Sequence, residues 1–170
     1  MKKVLFSLIA LMSVMTVQAQ SICATWRSMQ PIVETGADGS NQIQNLTYTF
    51  NEDGTYSFVD ELTMASEPAS TMALEIATSI EIKGTYALDG DQLTLTPNGD
   101  TYKYEVLSIS MNGQVSSNPM VKSQVNSVLR GLKEPLSEPE TFTVKVGDAS
   151  LEMSSDGETL NFVRFATIQN

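Results

Sequence analysis

The feature that most constrains this chain is a turn signal that keeps recurring. "FNEDGTYSF", "LDGDQLTL", "PNGDTYKY", "VGDASLEM" and "SSDGETLNF" each place Gly beside Asp between segments of alternating polarity. Glycine tolerates the positive φ that tight hairpin turns need, and Asp bonds its own backbone nearby. Repeated along one chain, the signal predicts an antiparallel meander. Calcium loops are the other use of Asp-Gly, but they need a spaced run of acidic ligands. No such run occurs here, so no metal site is expected.

Between the turns the side chains alternate with period two. Leu46, Tyr48 and Phe50 alternate with Thr47 and Thr49, while Tyr56, Phe58, Leu62 and Met64 share one face with Asp60 as its odd member. Met72, Leu74, Ile76, Ile80, Ile82, Tyr86 and Leu88 hold one parity, and Glu75, Ser79, Glu81, Lys83 and Thr85 the other. Residues 71–78 are rich enough in Ala and Glu to begin as a helix. Strand is the preferred reading, because the alternation runs on unbroken into "IEIKGTYAL". A straight strand of that length would be unusual, which predicts a bend near Thr78 or Gly84. Further strands are expected at Leu93–Thr96, Tyr102–Ile109, Phe142–Val146, Leu151–Met153 and Leu160–Phe165.

One segment breaks the rhythm. In "NPMVKSQVNSVLRGL", Asn118 is placed to cap a helix and Pro119 to occupy its first position. Val121, Val125, Val128, Leu129 and Leu132 then form an apolar stripe, and Gly131, Pro135 and Pro139 end the run. The sequence thus predicts one amphipathic helix over residues 118–132, packed on a barrel wall or across its mouth, with partner binding as the lesser use. With every strand apolar on one face, the fold expected is all-β. It is an antiparallel up-and-down β-barrel of about eight or nine strands, whose closure also removes sheet edges.

The first residues carry a compartment signal. Lys2 and Lys3, an apolar run from Val4 to Val17 and the small-residue site "VQA" have the layout of a secretory signal peptide over residues 1–19. The run is shorter than the ~20 residues of a bilayer span, so no transmembrane anchor is expected. Cleavage leaves residues 20–170 as one domain in the periplasm or outside the cell, without choosing between them. The whole chain carries a net charge of −10, and losing two lysines makes the remainder more acidic still. That balance disfavours nucleic acid and anionic membranes as partners.

Cys23 is the single cysteine and Trp26 the single tryptophan. A lipid-anchor site wants a small residue before its cysteine, and Ile22 is branched. One cysteine makes no internal disulfide, and a chain without histidine offers the thiol no imidazole base. Cys23 therefore reads as a bystander beside a structural tryptophan.

"ATWRS", then "YTFNEDGTYSF", "IKGTYALDGDQLTLTP" and a closing "LNFVRF", resemble the small secreted bacterial lipocalin-like domains over Ile22 to Phe165. Ala24 stands where that family's opening Gly-x-Trp signature has glycine, and the helix before the last three strands is a second departure. The resemblance implies that Trp26 lies across the closed end of the barrel, with Arg164 stacked on it. Guanidinium over a buried indole is favourable by about 0.5–2 kcal/mol. It also implies an open end able to hold a small molecule.

Without histidine, the commonest general base and the usual zinc sites are gone. No phosphate loop or nucleophile elbow appears either. The expectation is a non-enzymatic chain that needs no cofactor. Asp60 could carry a perturbed pKa, but the favoured reading is a bulge that turns it to solvent. The leading function is a binding module for a small apolar or amphipathic ligand, lined by Tyr48, Phe58, Met64, Tyr86, Tyr104, Phe142 and Phe162. The alternative is a secreted scaffold or interaction protein whose interior is packed with these same side chains. It would work through the helix or the "PIVETGADGSNQ" loop, toward a protein partner that the residues do not name.

Overall fold

Positive φ angles mark four chain reversals: Gly54 at 79°, Gly90 at 63°, Asn112–Gly113 at 51° and 75°, and Asp156–Gly157 at 50° and 86°. They are read from a computed structural model that describes residues 22–36, 40–66 and 73–165. The expected leader, Met72 and the tip of the 31–42 loop lie outside those residues.

The elements are β1 (Thr25–Ser28), β2 (Ile32–Thr35), β3 (Ser40–Phe50), β4 (Thr55–Ser66), β5 (Leu74–Asp89), β6 (Gln92–Met111) and β7 (Gln114–Val115), followed by helix α1 (Pro119–Gly131), a short 3-10 turn (Pro135–Ser137), β8 (Glu140–Val146), β9 (Ser150–Ser155) and β10 (Glu158–Phe165). Pairing runs β1–β10–β9–β8–β6–β5–β4–β3 and returns to β1, so eight antiparallel strands close a ring. Apart from the closing β1–β10 pair, ring neighbours follow one another in sequence except at β1–β3, where β2 intervenes, and at β6–β8, where β7 and α1 intervene. The fold is the expected all-β up-and-down barrel with one helix.

Several local expectations need correction. "PNGDTYKY" does not reverse the chain; Leu93–Thr96 and Tyr102–Ile109 belong to one strand, β6. The irregularity of that stretch is absorbed as a bulge in which Gly99 to Tyr102 face only Ile82 across the ladder. Thr101 Oγ1 stands in for the lost ladder partner, accepting from the Lys83 backbone N–H at 2.8 Å. A second register shift falls between Ala77 and Thr78. The long β5 is therefore irregular near both Thr78 and Gly84. At Gly84 a Cβ would come within 2.2 Å of the Thr96 carbonyl oxygen, so only glycine lets the two backbones approach this closely. Residues 74–78 are strand. The "PIVETGADGSNQ" segment is also less of a loop than expected, because β2 and the start of β3 pair through it from Ile32↔Gln44 to Thr35↔Asn41.

The reversals divide the molecule. β6 pairs with β8 only from Gln92 to Leu95 and then continues with β5, its other edge taken up again only by β7 at Ser110 and Met111. The far halves of β3, β4, β5 and β6 thus extend beyond the ring as an open sheet. Inside the ring, Trp26, Phe50, Leu93, Leu151, Met153 and Phe162 form the first core, each nearly or fully buried. On the extension, Ile76, Ile80 and Ile109 pack with Val125 and Leu129 of α1 as a second core. The Asn118 side chain accepts from the Met120 N–H, and Pro119 opens α1 as its sequence implied. Val128 does not belong to the buried stripe: it is 60% exposed, because the packed face runs through Val121, Val125, Leu129 and Leu132.

Candidate functional site

The seven residues expected to line one cavity do not share one. Tyr48, Phe58, Tyr86, Phe142 and Phe162 belong to the ring core, whereas Met64 and Tyr104 pack into the helix-covered core. Period-two parity put all seven on the inner face, but β3 to β6 are long enough to serve two cores with that face.

Much of the ring interior is occupied by interlocked aromatics. The Tyr48 ring lies 4.8 Å from Phe58 and meets Phe162 edge-on at 5.6 Å, and Phe50 meets Tyr86 edge-on at 5.0 Å. Such tilted and edge contacts add stability beyond the area they bury. Tyr86 is committed locally: its hydroxyl donates to the Asn51 carbonyl at 2.8 Å and lies 3.3 Å from Cys23 Sγ. Burial, with the Cys23 contact second, raises its pKa. Cys23 is thus a half-buried contact of Tyr86 as well as a neighbour of Trp26. Tyr104 is likewise spoken for, accepting from Arg130 Nε at 3.1 Å, while the Tyr102 hydroxyl donates to the Leu129 carbonyl. Both tyrosines tie α1 to β6.

Trp26 is fully buried, and its Nε1–H donates to the Ile22 carbonyl at 2.7 Å. The Arg164 guanidinium stands 5.2 Å from the centre of the indole, with the two residues facing each other across the β1–β10 ladder. The indole N–H is therefore satisfied by the chain that leads into β1, and the arginine covers a ring face.

Where β6 parts from β8, the 3-10 turn closes over the gap and leaves a pocket of about 170 Å³. Tyr48, Tyr56 and Phe58 line it, together with Leu136 and the carboxylates of Glu138 and Glu140. Tyr48 and Tyr56 are 8% and 3% exposed, yet neither hydroxyl has a hydrogen-bond partner among the described residues. Among the fully sealed side-chain polar atoms described, the one lacking a partner is Asp60 Oδ1. The two phenol oxygens are therefore not sealed, and both residues line the pocket.

The electrostatics agree with that placement. Burial, and then Glu140, raise the Tyr48 pKa, and the same two causes push Tyr56 up to about 12. Both phenols stay protonated at neutral pH and can donate. Glu140 is itself raised, chiefly by burial and further by Asp156. Of the expected lining residues, only Tyr48 and Phe58 reach this pocket. Tyr56 carried the same sequence signal as Phe58, namely its parity. Glu138 and Glu140 carried none, since they flank a proline in a stretch without period.

Asp60 corrects the expectation of a bulge. It pairs in regular register with Leu46 and Ile80, is 7% exposed, and accepts from Gln44 Nε2 at 3.3 Å through one oxygen. Burial raises its pKa to about 6, against the opposing effect of the Gln44 hydrogen bond.

Larger hollows exist, but they open outward. One of about 780 Å³ runs over hydroxyl-bearing side chains such as Thr49, Ser57, Thr96 and Thr101 on the outer face. No cluster of three or more metal-ligating side chains occurs among the described residues. No helix among them is long and apolar enough to cross a membrane. No protein-family model matches the chain, and no curated protein is detectably similar to it.

Proposed function

We propose that this chain is an exported, non-enzymatic binding module of the lipocalin-like kind, which takes a small amphipathic molecule where β6 leaves β8. Support for export comes from the basic start, apolar run and "VQA" site of residues 1–19. The lipocalin-like reading rests on "ATWRS" and the closing "LNFVRF", and is compatible with a closed eight-strand ring. The observation that carries binding is the pair of tyrosines Tyr48 and Tyr56, whose rings are buried and whose hydroxyls lack protein partners at a pocket walled by Phe58. Hydroxyls that are neither sealed nor paired within the fold are open to a bound polar group or to water.

At about 170 Å³ the pocket lies below the range of drug-sized sites, roughly 300–1,000 Å³. It suits a small molecule or one end of a larger one. A second reading, a secreted scaffold with a packed interior, is favoured by the interlocked rings of Tyr48, Phe50, Phe58 and Phe162. Phe58→Trp separates the two. In a binder it fills the pocket, removes the mass that co-purifies from the native host in native mass spectrometry, and leaves folding nearly intact. In a packed scaffold no such mass accompanies the parent protein, and the larger ring costs about 1–3 kcal/mol of stability by overpacking.

A further inference from the structure

We infer that the pocket where β6 parts from β8 selects a cationic ligand, a small primary amine with an aromatic or aliphatic body, whose ammonium sits between the Glu140 carboxylate and the Tyr48 and Tyr56 hydroxyls. This rests on the binding function proposed above and adds the ligand's charge.

Three observations carry it. First, both carboxylates at the pocket, Glu138 and Glu140, lack an ion-pair partner among the described residues, and no lining residue is basic. The two cations on the chain leading into the 3-10 turn have contacts of their own. Lys133 lies 3.9 Å from Asp100, and Arg130 donates to Tyr104. Second, the remaining charges that act on this site are also acidic: Asp156 acts on Glu140, and Asp60 on Tyr48. Carboxylates without a partner beside a buried aromatic floor gain by pairing with a cation, and an anion entering here would meet repulsion from both of them. Third, the floor is aromatic. Tyr48 and Phe58 lie 4.8 Å apart with their rings tilted by 36°. Such faces attract an ammonium through the ring quadrupole, while the phenol oxygens accept its N–H bonds. An ammonium offers three donors and no acceptor, and this pocket presents acceptors for it.

The volume limits the body of the ligand to about one ring and a short chain. 2-Phenylethylammonium, its neutral isostere 2-phenylethanol and the anion phenylacetate are therefore the probes, titrated by calorimetry against the full chain at neutral pH. The ammonium should bind at least about tenfold more tightly than the alcohol, in keeping with one charge-assisted contact, and phenylacetate most weakly. Glu140→Gln should erase the preference for the ammonium over the alcohol while leaving the alcohol's own affinity unchanged. Glu140 stands at the exposed start of β8, and the unfolding midpoint of the variant verifies that it folds. Equal affinity for alcohol and ammonium, or an undiminished preference in Glu140→Gln, overturns the inference while the binding function stands. Binding of none of the three probes, with no co-purified mass, overturns both.

Discussion

The closed ring and the open sheet beyond it are made from the same strands, and they solve the burial problem differently. β4 contributes Tyr56 and Phe58 to the ring core and Met64 to the helix-covered core. Within the ring every inward face meets another inward face, so the core is completed by closure alone. Beyond Leu95 the strand β6 has lost β8, and the inner face of the extension has no opposite wall. Helix α1 supplies one, with Val125 and Leu129 over Ile76, Ile80 and Ile109. Closure and capping are alternative ways to bury a single-faced sheet. The pocket at Tyr48 and Tyr56 lies where one gives way to the other, because a strand that leaves its partner opens a gap that a short 3-10 turn cannot completely fill.

The contrast breaks most visibly at Trp26. Trp26→Ala should cost about 3–5 kcal/mol, the usual range for a buried aromatic. Because the ring closes through β1, the loss should appear as global destabilisation in a denaturant melt. A drop below about 1 kcal/mol would mean that ring closure does not depend on the indole.

Leu129→Ala should cost less, about 2–3 kcal/mol, and the loss should be local. Amide exchange should quicken along the far halves of β5 and β6 while protection in β9 and β10 is retained. Val128→Ser, on the exposed side of the same helix, is the control and should change neither. Uniform loss of protection in Leu129→Ala would show that the two cores unfold as one unit.

The smallest effect belongs to Asp60, which joins the two regions through Leu46 of the ring core and Ile80 of the helix-covered core. Its folded pKa of about 6 lies above its ordinary value of 3.8. Between those values the folded state holds more protons than the unfolded chain, so stability falls as pH rises through the interval. The contribution is fully present below about pH 4 and gone above about pH 6. Asp60→Asn removes the buried charge and should stabilise the protein by about 1–2 kcal/mol at pH 7.5, with the gain shrinking toward pH 4. Equal gains at both pH values would show that the carboxyl is not held in its neutral form.

How far the sequence could be read depended on the range of the signal. Local chemistry was legible: Asp156–Gly157 and Gly54 turn the chain where their dipeptides stand, and Asn118–Pro119 opens the helix. The same signal was overlooked in Asn112–Gly113, a favoured hairpin pair that joins β6 to β7. In "PNGDTYKY" it misled, since Gly99 and Asp100 sit in a bulge and not in a reversal.

By itself, the sequence determined the antiparallel strand class, most of the turns, the inward parity of β3, β4 and β5 and the one helix, because φ preference, capping and period two act over a few residues. Only the tertiary structure decided which inward residues meet. Parity assigns Tyr48 and Tyr104 to the same face, but nothing in their spacing says that one lies in the ring and the other under α1. That division follows from where β6 leaves β8, a register between segments some fifty residues apart. The same long-range pairing brings Glu140 beside Tyr48 and Tyr56, while the register of β4 between β3 and β5 holds Asp60 inward against its own preference for water. A side chain's chemistry is written at its position, but its neighbours are fixed only when the ring closes.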